Sequence, residues 1–437
     1  MKNLWDPQYE RMPRQELQKL QLRRLQEKVR QLYQTVPFYR QAMRDLNLTP
    51  DGVRSLGDLS RLPFTTKRDL RDNYPFGLLA VPPEEVVRMH VSGGTTGKPI
   101  LALYSAADVE LWTEMMARTL TAGGAGRSDV VHIAFNYGLF TGGLGFHQGA
   151  ERIGAAVIPA SSGQTKRQIM LMQDLGSTVL CCTPSYGLFL AETALQMGVD
   201  LRETRLRVGF FGAEPWSPRM RDEIESKLGI AALDTYGLSE VIGPGVAAEC
   251  SFKNGMHLYE DHFLPEVVDP ASGEPLPPGQ KGELVLTTLT KEALPLIRYR
   301  TGDITSLRPE PCPCGRTLVR MERITGRTDD MLIVRGINVF PSQIEAVLLR
   351  FEGIEPQYQI IVDRERSLDD LEIRVEVSKA IFSELSDEMR RLESFERTIR
   401  AEIESVLGVT ARVRLMEPGS LERSEGKAKR VVDRREL

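Results

Sequence analysis

The chain has 437 residues, 41% hydrophobic and 27% charged, with a formal net charge of −4. That length supports large buried cores in two or more domains, and a mildly acidic chain with scattered basic residues argues against a nucleic-acid-binding surface. No apolar run approaches membrane-spanning length and Met1 to Asp6 form no apolar signal core, so a cytoplasmic protein without membrane partners is expected; five cysteines fit reduced thiols or a metal site better than a disulfide framework.

From Pro13 to about Tyr33, Leu17, Leu20, Leu25, Val29 and Leu32 recur near helical spacing, which predicts a helix. Pro37 should interrupt it before a shorter helical stretch to about Leu46. A basic amphipathic helix can meet a membrane or an anionic ligand, but a solvated face on a helix packed to its domain is far commoner and is the expectation here. Leu62 to Leu70 reads as a loop followed by a Thr-capped helix.

Val91-Ser92-Gly93-Gly94-Thr95-Thr96-Gly97-Lys98-Pro99-Ile100 packs three glycines, three hydroxyls and one lysine into ten residues. Glycines let the backbone turn tightly and bring N–H groups up to an anion, while hydroxyls and Lys98 add donors, which suits polyphosphate. The spacing departs from a Walker A loop: Gly93 and Gly97 are too close, and Pro99 stands where a magnesium-binding Ser/Thr should follow the lysine. Pro99 also disfavours helical geometry at Lys98, so no helix should start directly behind the loop. The competing reading is a flexible surface loop.

Beyond it, apolar runs at 130–135, 155–159, 178–182 and 207–211 alternate with helical patterns at 166–175, 186–197 and 218–228. This predicts a mostly parallel sheet covered by helices, with ligand loops at the strands' carboxyl ends and Cys181 and Cys182 in the core. Phe211-Gly212-Ala213-Glu214-Pro215 and Asp234-Thr235-Tyr236-Gly237-Leu238-Ser239-Glu240 each set a small residue beside an acid past an apolar run. Glycine admits a flat ligand, and a carboxylate there can hold Mg²⁺. From about His257 to Arg323 the pattern turns β-rich. Arg327-Thr328-Asp329-Asp330 introduces a small α+β segment that ends in Arg423-Ser424-Glu425-Gly426-Lys427.

In this order, the stretch at 91–100, Tyr236 to Glu240, Tyr299-Arg300-Thr301-Gly302-Asp303, Gly326 to Asp330 and Ser424 to Lys427 resemble the adenylate-forming acyl- and aryl-CoA synthetase superfamily. Within it, Tyr137 to Gly143, Tyr236 to Gly245 and Arg335-Gly336-Ile337-Asn338-Val339-Phe340-Pro341 are most similar to the phenylacetate-CoA ligases. The resemblance implies an α/β fold: an N-terminal adenylation domain over 1–328 with helix-covered sheets and a β-rich subdomain, and a mobile α+β C-terminal domain over 329–437 that turns about Asp329. It also implies an acid-thiol ligase in two half-reactions: a carboxylate attacks the α-phosphate of ATP, and the thiol of coenzyme A then displaces AMP.

By that resemblance, Ser92, Gly93, Gly94, Thr95, Thr96, Gly97 and Lys98 hold the phosphates, with Glu240 and a loop threonine, Thr96, on Mg²⁺. Gly212, Ala213, Glu214, Asp234, Thr235, Tyr236 and Gly237 frame the adenine, Asp303 accepts the ribose hydroxyls, and Arg327 belongs to the same nucleotide site. Lys427 bridges the attacking carboxylate and the α-phosphate, and Arg335, Gly336, Ile337 and Asn338 approach coenzyme A. A homodimer is also suggested. Phe135, Tyr137 and Phe140 are candidates to enclose an aromatic acid, with plain core as the alternative. No arginine or lysine is evident as a second-anion receptor, which favours a monocarboxylic acid. Cys250, His257, Cys312 and Cys314 could close a structural Zn²⁺ site, or be free thiols on turns. An adenylation enzyme that loads a carrier-protein pantetheine, and a non-catalytic nucleotide or acyl-adenylate sensor, are the competing functions.

Overall fold

The computed structural model describes residues 3–92, 99–328, 332–334, 337–339, 341–365, 368–386, 389–423 and 430–434. The chain opens with α1 (Pro7–Glu10), α2 (Arg14–Thr35) and α3 (Pro37–Asp45). In α2, Leu17, Leu25, Val29 and Leu32 are fully buried, each contributing about 1.5–3 kcal/mol over an exposed position. The opposite side, with Lys19, Arg23 and Arg30, faces solvent, so the helix is a packed one with a wet face. Val36 is extended and Pro37 takes the first position of α3, where its missing N–H is not needed. A reciprocal Thr66/Asp69 capping box starts α4 (Lys67–Asp72).

Two strands, β1 (Arg88–Ser92) and β2 (Ile100–Tyr104), pair antiparallel with Ser92 opposite Ile100. The glycine-rich stretch therefore connects the arms of a hairpin, and as expected no helix begins directly behind it. The long helix α5 (Ala106–Ala122), capped by Ser105, follows β2. Sequence reasoning missed α5 because its apolar residues lie nearly all round it, the pattern of a buried helix without a clean stripe.

The main sheet is built from β3 (Val130–Ile133), α6 (Gly142–Arg152), β4 (Ala156–Ile158), α7 (Thr165–Asp174), β5 (Val179–Cys182), α8 (Pro184–Gln196), β6 (Val208–Gly212), α9 (Pro218–Leu228) and β7 (Ala231–Leu238). It continues into β8 (Gly243–Glu249) and β9 (Met256–Leu258). A second sheet holds β10 (Phe263–Val268), β11 (Gly282–Thr288) and β12 (Tyr299–Thr305), while β13 (Leu307–Arg308) and β14 (Arg320–Met321) return to the first and β15 (Gly326–Arg327) joins the second. The nine-stranded order is β13-β14-β9-β8-β7-β6-β5-β3-β4. Strands β4, β3, β5, β6 and β7 run parallel, as the alternating pattern predicts, and β7 onward is antiparallel. Helices α5 and α6 approach closely because Gly149 lets them: a Cβ there would lie 2.4 Å from Met116 Cβ.

The remainder carries the hairpin β16 (Leu332–Val334) and β17 (Ile337–Val339), α10 (Pro341–Leu348), β18 (Ile354–Glu365), β19 (Leu368–Val377), α11 (Lys379–Ser386), α12 (Met389–Leu407), β20 (Arg412–Met416) and β21 (Val431–Asp433). Its sheet order is β20-β19-β18-β21, and a separate apolar cluster, including Ile344, Ile360, Ile373 and Ile403, forms its core. It meets the body through Arg219 on α9, which donates to the carbonyls of Phe351 and Ile354 at 3.0 and 3.1 Å. Among the described residues no helix is long and apolar enough to cross a membrane.

Candidate active site

A cleft lies at the carboxyl ends of β6 and β7. Its walls come from five separate places in the chain: Ala213 to Trp216, Asp234 to Leu238, Met256, Asp303, and Arg323 with Ile324 and Arg327. This is where open parallel sheets bind ligands. Asp234 to Leu238 do not lie in a loop past the strand, as the sequence suggested, but inside β7. The glycine-containing strand continues because Gly237 tolerates a close β8 neighbour: a Cβ there would sit 2.0 Å from Gly243 O.

Asp303 is the best-defined group of the cleft. It is buried on β12, opposite Arg327 of β15. The Tyr236 hydroxyl donates to its Oδ2 at 2.6 Å and the Arg327 guanidinium donates to Oδ1. Gly302, at φ 79°, and a register shift between β11 and β12 turn the strand at this point. Burial, then the Asp303 carboxylate, push the Tyr236 phenol far above its ordinary range, so it stays a donor.

At the far wall, Ala213 adopts a left-handed φ of 68°, a conformation that costs a non-glycine residue about 1–3 kcal/mol and clusters at ligand sites. Glu214, expected at the adenine, turns its Oε1 to the Ser185 N–H at 2.7 Å and so caps the start of α8 while still bordering the cleft. Gly212 packs on its neighbour strand instead, where a Cβ would meet Thr235 O at 2.4 Å. The Asp234 N–H donates to Glu249 Oε2 at 2.9 Å, and Arg221 pairs with that carboxylate at 3.0 Å while lying over the Trp216 ring. Burial and the Glu249 charge push Asp234 up from the usual carboxylate range. Trp216, Arg221, Glu249 and Arg323 escaped sequence reasoning; Trp216 alone had a local signal, standing directly after Glu214-Pro215.

Glu240 is buried in the turn between β7 and β8, next to Ser239, whose hydroxyl lies 3.2 Å from that of Thr141. A carboxylate oxygen is the kind of ligand Mg²⁺ takes. Ser92 ends β1. Gly93, Gly94, Thr95, Thr96, Gly97, Lys98, Asp329, Arg335, Gly336 and Lys427 lie outside the described residues, and Ile337 and Asn338 are described only as backbone of β17.

The three aromatic candidates separate. Phe135 is buried and stacks on Phe146 at 5.2 Å and 11°, which makes it core as much as wall. The Tyr137 hydroxyl lies 3.2 Å from His147 Nδ1, and Phe140 is 47% exposed.

Away from the cleft, Cys250, His257, Cys312 and Cys314 converge with all their donor atoms within 4.8 Å of one another. Cys250 Sγ and Cys312 Sγ are 3.8 Å apart, and Cys314 Sγ and His257 Nε2 3.4 Å. A tetrahedron with Zn–S near 2.3 Å and Zn–N near 2.0 Å has edges of about 3.8 and about 3.5 Å. The four donors therefore fit a zinc ion, and the sulfur separation is far too long for a disulfide.

Residues 21–289 match the AMP-binding enzyme family and residues 336–435 the AMP-binding enzyme C-terminal domain. A phenylacetate-coenzyme A ligase of Thermus thermophilus is 51% identical over 99% of this chain and 100% of its own length. The protein of the same name from Escherichia coli is 50% identical over 97% and 96%. The chain belongs to the phenylacetate-coenzyme A ligase family of AMP-binding enzymes. A crystal structure of 2-hydroxyisobutyryl-CoA ligase in the postadenylation state, with an acyl-AMP bound, superposes on this family member with a TM-score of 0.91 at 32% identity, covering 99% of this chain and 93% of that one. The same ligase in its thioesterification state, with CoA, gives 0.74 at 33% identity over 99% and 92%.

Proposed function

We propose that this protein ligates phenylacetate, or a related aryl or arylalkyl acid, to coenzyme A with ATP, through an acyl-adenylate. The observation that carries the reading is the convergence of sequence-distant segments on one cleft, with the Asp303 carboxylate held between Tyr236 and Arg327 to accept the ribose hydroxyls. The four relatives named phenylacetate-coenzyme A ligase, at 48–51% identity, support the choice of acid and thiol.

In the first half-reaction a carboxylate oxygen bonds to the α-phosphorus, the α–β anhydride bond breaks, and pyrophosphate leaves. Lys427 bridges the two anions and offsets their repulsion; Ser92 to Lys98 hold the phosphates, and Glu240 with Thr96 holds Mg²⁺, which supplies charge neutralisation. The adenine lies along Ala213, Asp234 and Tyr236 to Gly237. In the second half-reaction the thiol sulfur bonds to the acyl carbon as its proton leaves, the carbon–oxygen bond to the phosphate breaks, and AMP departs. Phe135, Tyr137 and Phe140 border the acyl group.

Lys427 and an incoming thiol cannot share the site, so residues 329–437 turn about Asp329 between the steps and bring Arg335 to Asn338 to coenzyme A. The drop in TM-score from 0.91 to 0.74 between two states of one ligase supports this. Cys250, His257, Cys312 and Cys314 hold a structural zinc ion, four protein ligands leaving no open position.

The test is AMP release with MgATP and a panel of aryl, arylacetic and fatty acids, with and without coenzyme A. Turnover on phenylacetate that needs coenzyme A is the expected result. Acid-dependent ATP–pyrophosphate exchange with no transfer to coenzyme A would replace it by loading of a carrier protein, and no acid-dependent chemistry at all would leave a sensor.

A further inference from the structure

Lys291 is fully buried, in the segment between β11 and β12. A lysine in such a place carries a large desolvation penalty, and its ammonium must find partners inside the protein. Its Nζ donates to Val241 O at 2.8 Å and sits 4.5 Å from the centre of the Tyr104 ring. The next carbonyl along, Ile242 O, accepts from the Tyr104 hydroxyl at 3.0 Å, and Pro244 O accepts from Trp112 Nε1 at 2.8 Å. Tyr104 and Trp112 stack at 5.3 Å, and His90 meets both rings edge-on at 5.7 Å. Three side chains from three segments thus hold three carbonyls of the four-residue stretch, 241–244, that directly follows Glu240.

The elements that supply those side chains matter. Tyr104 is the last residue of β2 and His90 lies on β1, so the cage grips both arms of the hairpin around the glycine-rich stretch. Asp108 and Glu240 are the carboxylates whose charges bear on Lys291. Asp108 is already engaged by the N–H groups of Glu292 and Ala293, at 2.6 and 2.9 Å, which fixes the segment that carries Lys291. From α2, Lys28 Nζ donates to Lys291 O at 2.7 Å.

We propose that Lys291 is a positioning residue for adenylation: through Val241 O, and together with Tyr104, it sets the Glu240 turn and the hairpin of the glycine-rich stretch in one frame for MgATP. The inference rests on the reading of Glu240 as the magnesium ligand. A buried ammonium on the carbonyl next to Glu240 fixes the backbone that carries this carboxylate. Lys291 acts through Glu240 and touches no reacting atom.

The decisive experiment compares the intact wild type with Lys291→Met, Tyr104→Phe and Glu240→Gln. Two quantities are read: the Mg²⁺ concentration that half-saturates acid-dependent ATP–pyrophosphate exchange at fixed ATP, and the rate of thioester formation from supplied phenylacetyl-adenylate. The second half-reaction needs neither pyrophosphate contacts nor the metal, so it reports any general damage. Lys291→Met should raise the Mg²⁺ requirement about tenfold and Tyr104→Phe about threefold, the scale of losing a charged and a neutral hydrogen bond, with thioester formation unchanged in both. Equal losses in both half-reactions, or an unchanged Mg²⁺ requirement in both variants while Glu240→Gln raises it, would overturn the role of Lys291 and leave Glu240 standing. An unchanged requirement in Glu240→Gln would remove the magnesium reading and this inference with it. If Lys291→Met fails to fold, Tyr104→Phe decides alone.

Discussion

Asp303 shows how a single carboxylate is prepared for a ligand. Tyr236 and Arg327 occupy one side of each oxygen, and burial keeps water from competing. Asp303→Asn keeps the shape but exchanges an ionised acceptor for a neutral amide, so kcat/KM for ATP in the adenylation half-reaction should fall by about 2 kcal/mol, roughly 30-fold. His132 makes a different prediction, about stability. Its Nε2 lies 2.9 Å from Gln168 Oε1, while the Gln168 amide nitrogen already donates to Ser161 O and Gly163 O. The imidazole therefore donates through Nε2, and its buried Nδ1 has no hydrogen-bond partner among the described residues. Burial lowers the folded imidazole to about 4 from its ordinary 6.5. As pH falls the unfolded chain takes up the proton first, so this contribution is full above about 6.5 and is lost progressively down to about 4, reaching roughly 3 kcal/mol. Denaturant titrations across that range should show a shallower loss in His132→Leu than in wild type; parallel slopes would refute the assignment. Asp303 was legible because it sits in a recognisable string of residues. Lys291 and Arg323 were not, because a lysine or arginine between apolar runs carries no local mark of burial.

At the scale of elements, the alternating patterns marked β3 to β6 and helices α7, α8 and α9 within a residue or two, though not α6, since parallel strands buried on both faces read as continuous hydrophobic stretches. The glycine-rich stretch was legible as a break and Pro99 as the reason no helix follows. Helix α5 and the continuation of β7 through Gly237 were hidden, the first by all-round burial and the second by a glycine that normally ends a strand. The cysteine cluster was legible as composition but not as geometry, because Cys250 and His257 on one side and Cys312 and Cys314 on the other meet only when β14 pairs with β9. That cluster also reaches the N-terminus: the Arg316 N–H donates to Cys314 Sγ, its guanidinium pairs with buried Glu10, and Thr317 N–H donates to Glu10 O at 3.0 Å. Purified protein should carry about one zinc per chain by metal analysis. Cys312→Ser should lose it with a lower Tm, and the released strand pair should expose the first residues of the chain to protease. Wild type free of metal at full stability would rule the site out.

Among the described residues, the segment from Leu332 to Val413 has an apolar core of its own, separate from the clusters on the two faces of the main sheet, and meets the body through contacts such as those of Arg219. Separate cores permit rigid-body turning. Lys427→Ala should abolish adenylation yet spare thioester formation from supplied acyl-adenylate, and Asp329→Pro should do the reverse; equal loss of both half-reactions in both variants would contradict two working conformations. Both half-reactions meet at the acyl-adenylate, and the most direct measurement of it follows oxygen. With phenylacetate labelled with ¹⁸O in its carboxylate, MgATP and coenzyme A, the attacking oxygen stays on phosphorus when the thiol displaces it. Mass spectrometry should therefore find one label in AMP and none in pyrophosphate. AMP without label, or label in inorganic phosphate alongside ADP, would contradict adenylation as the route.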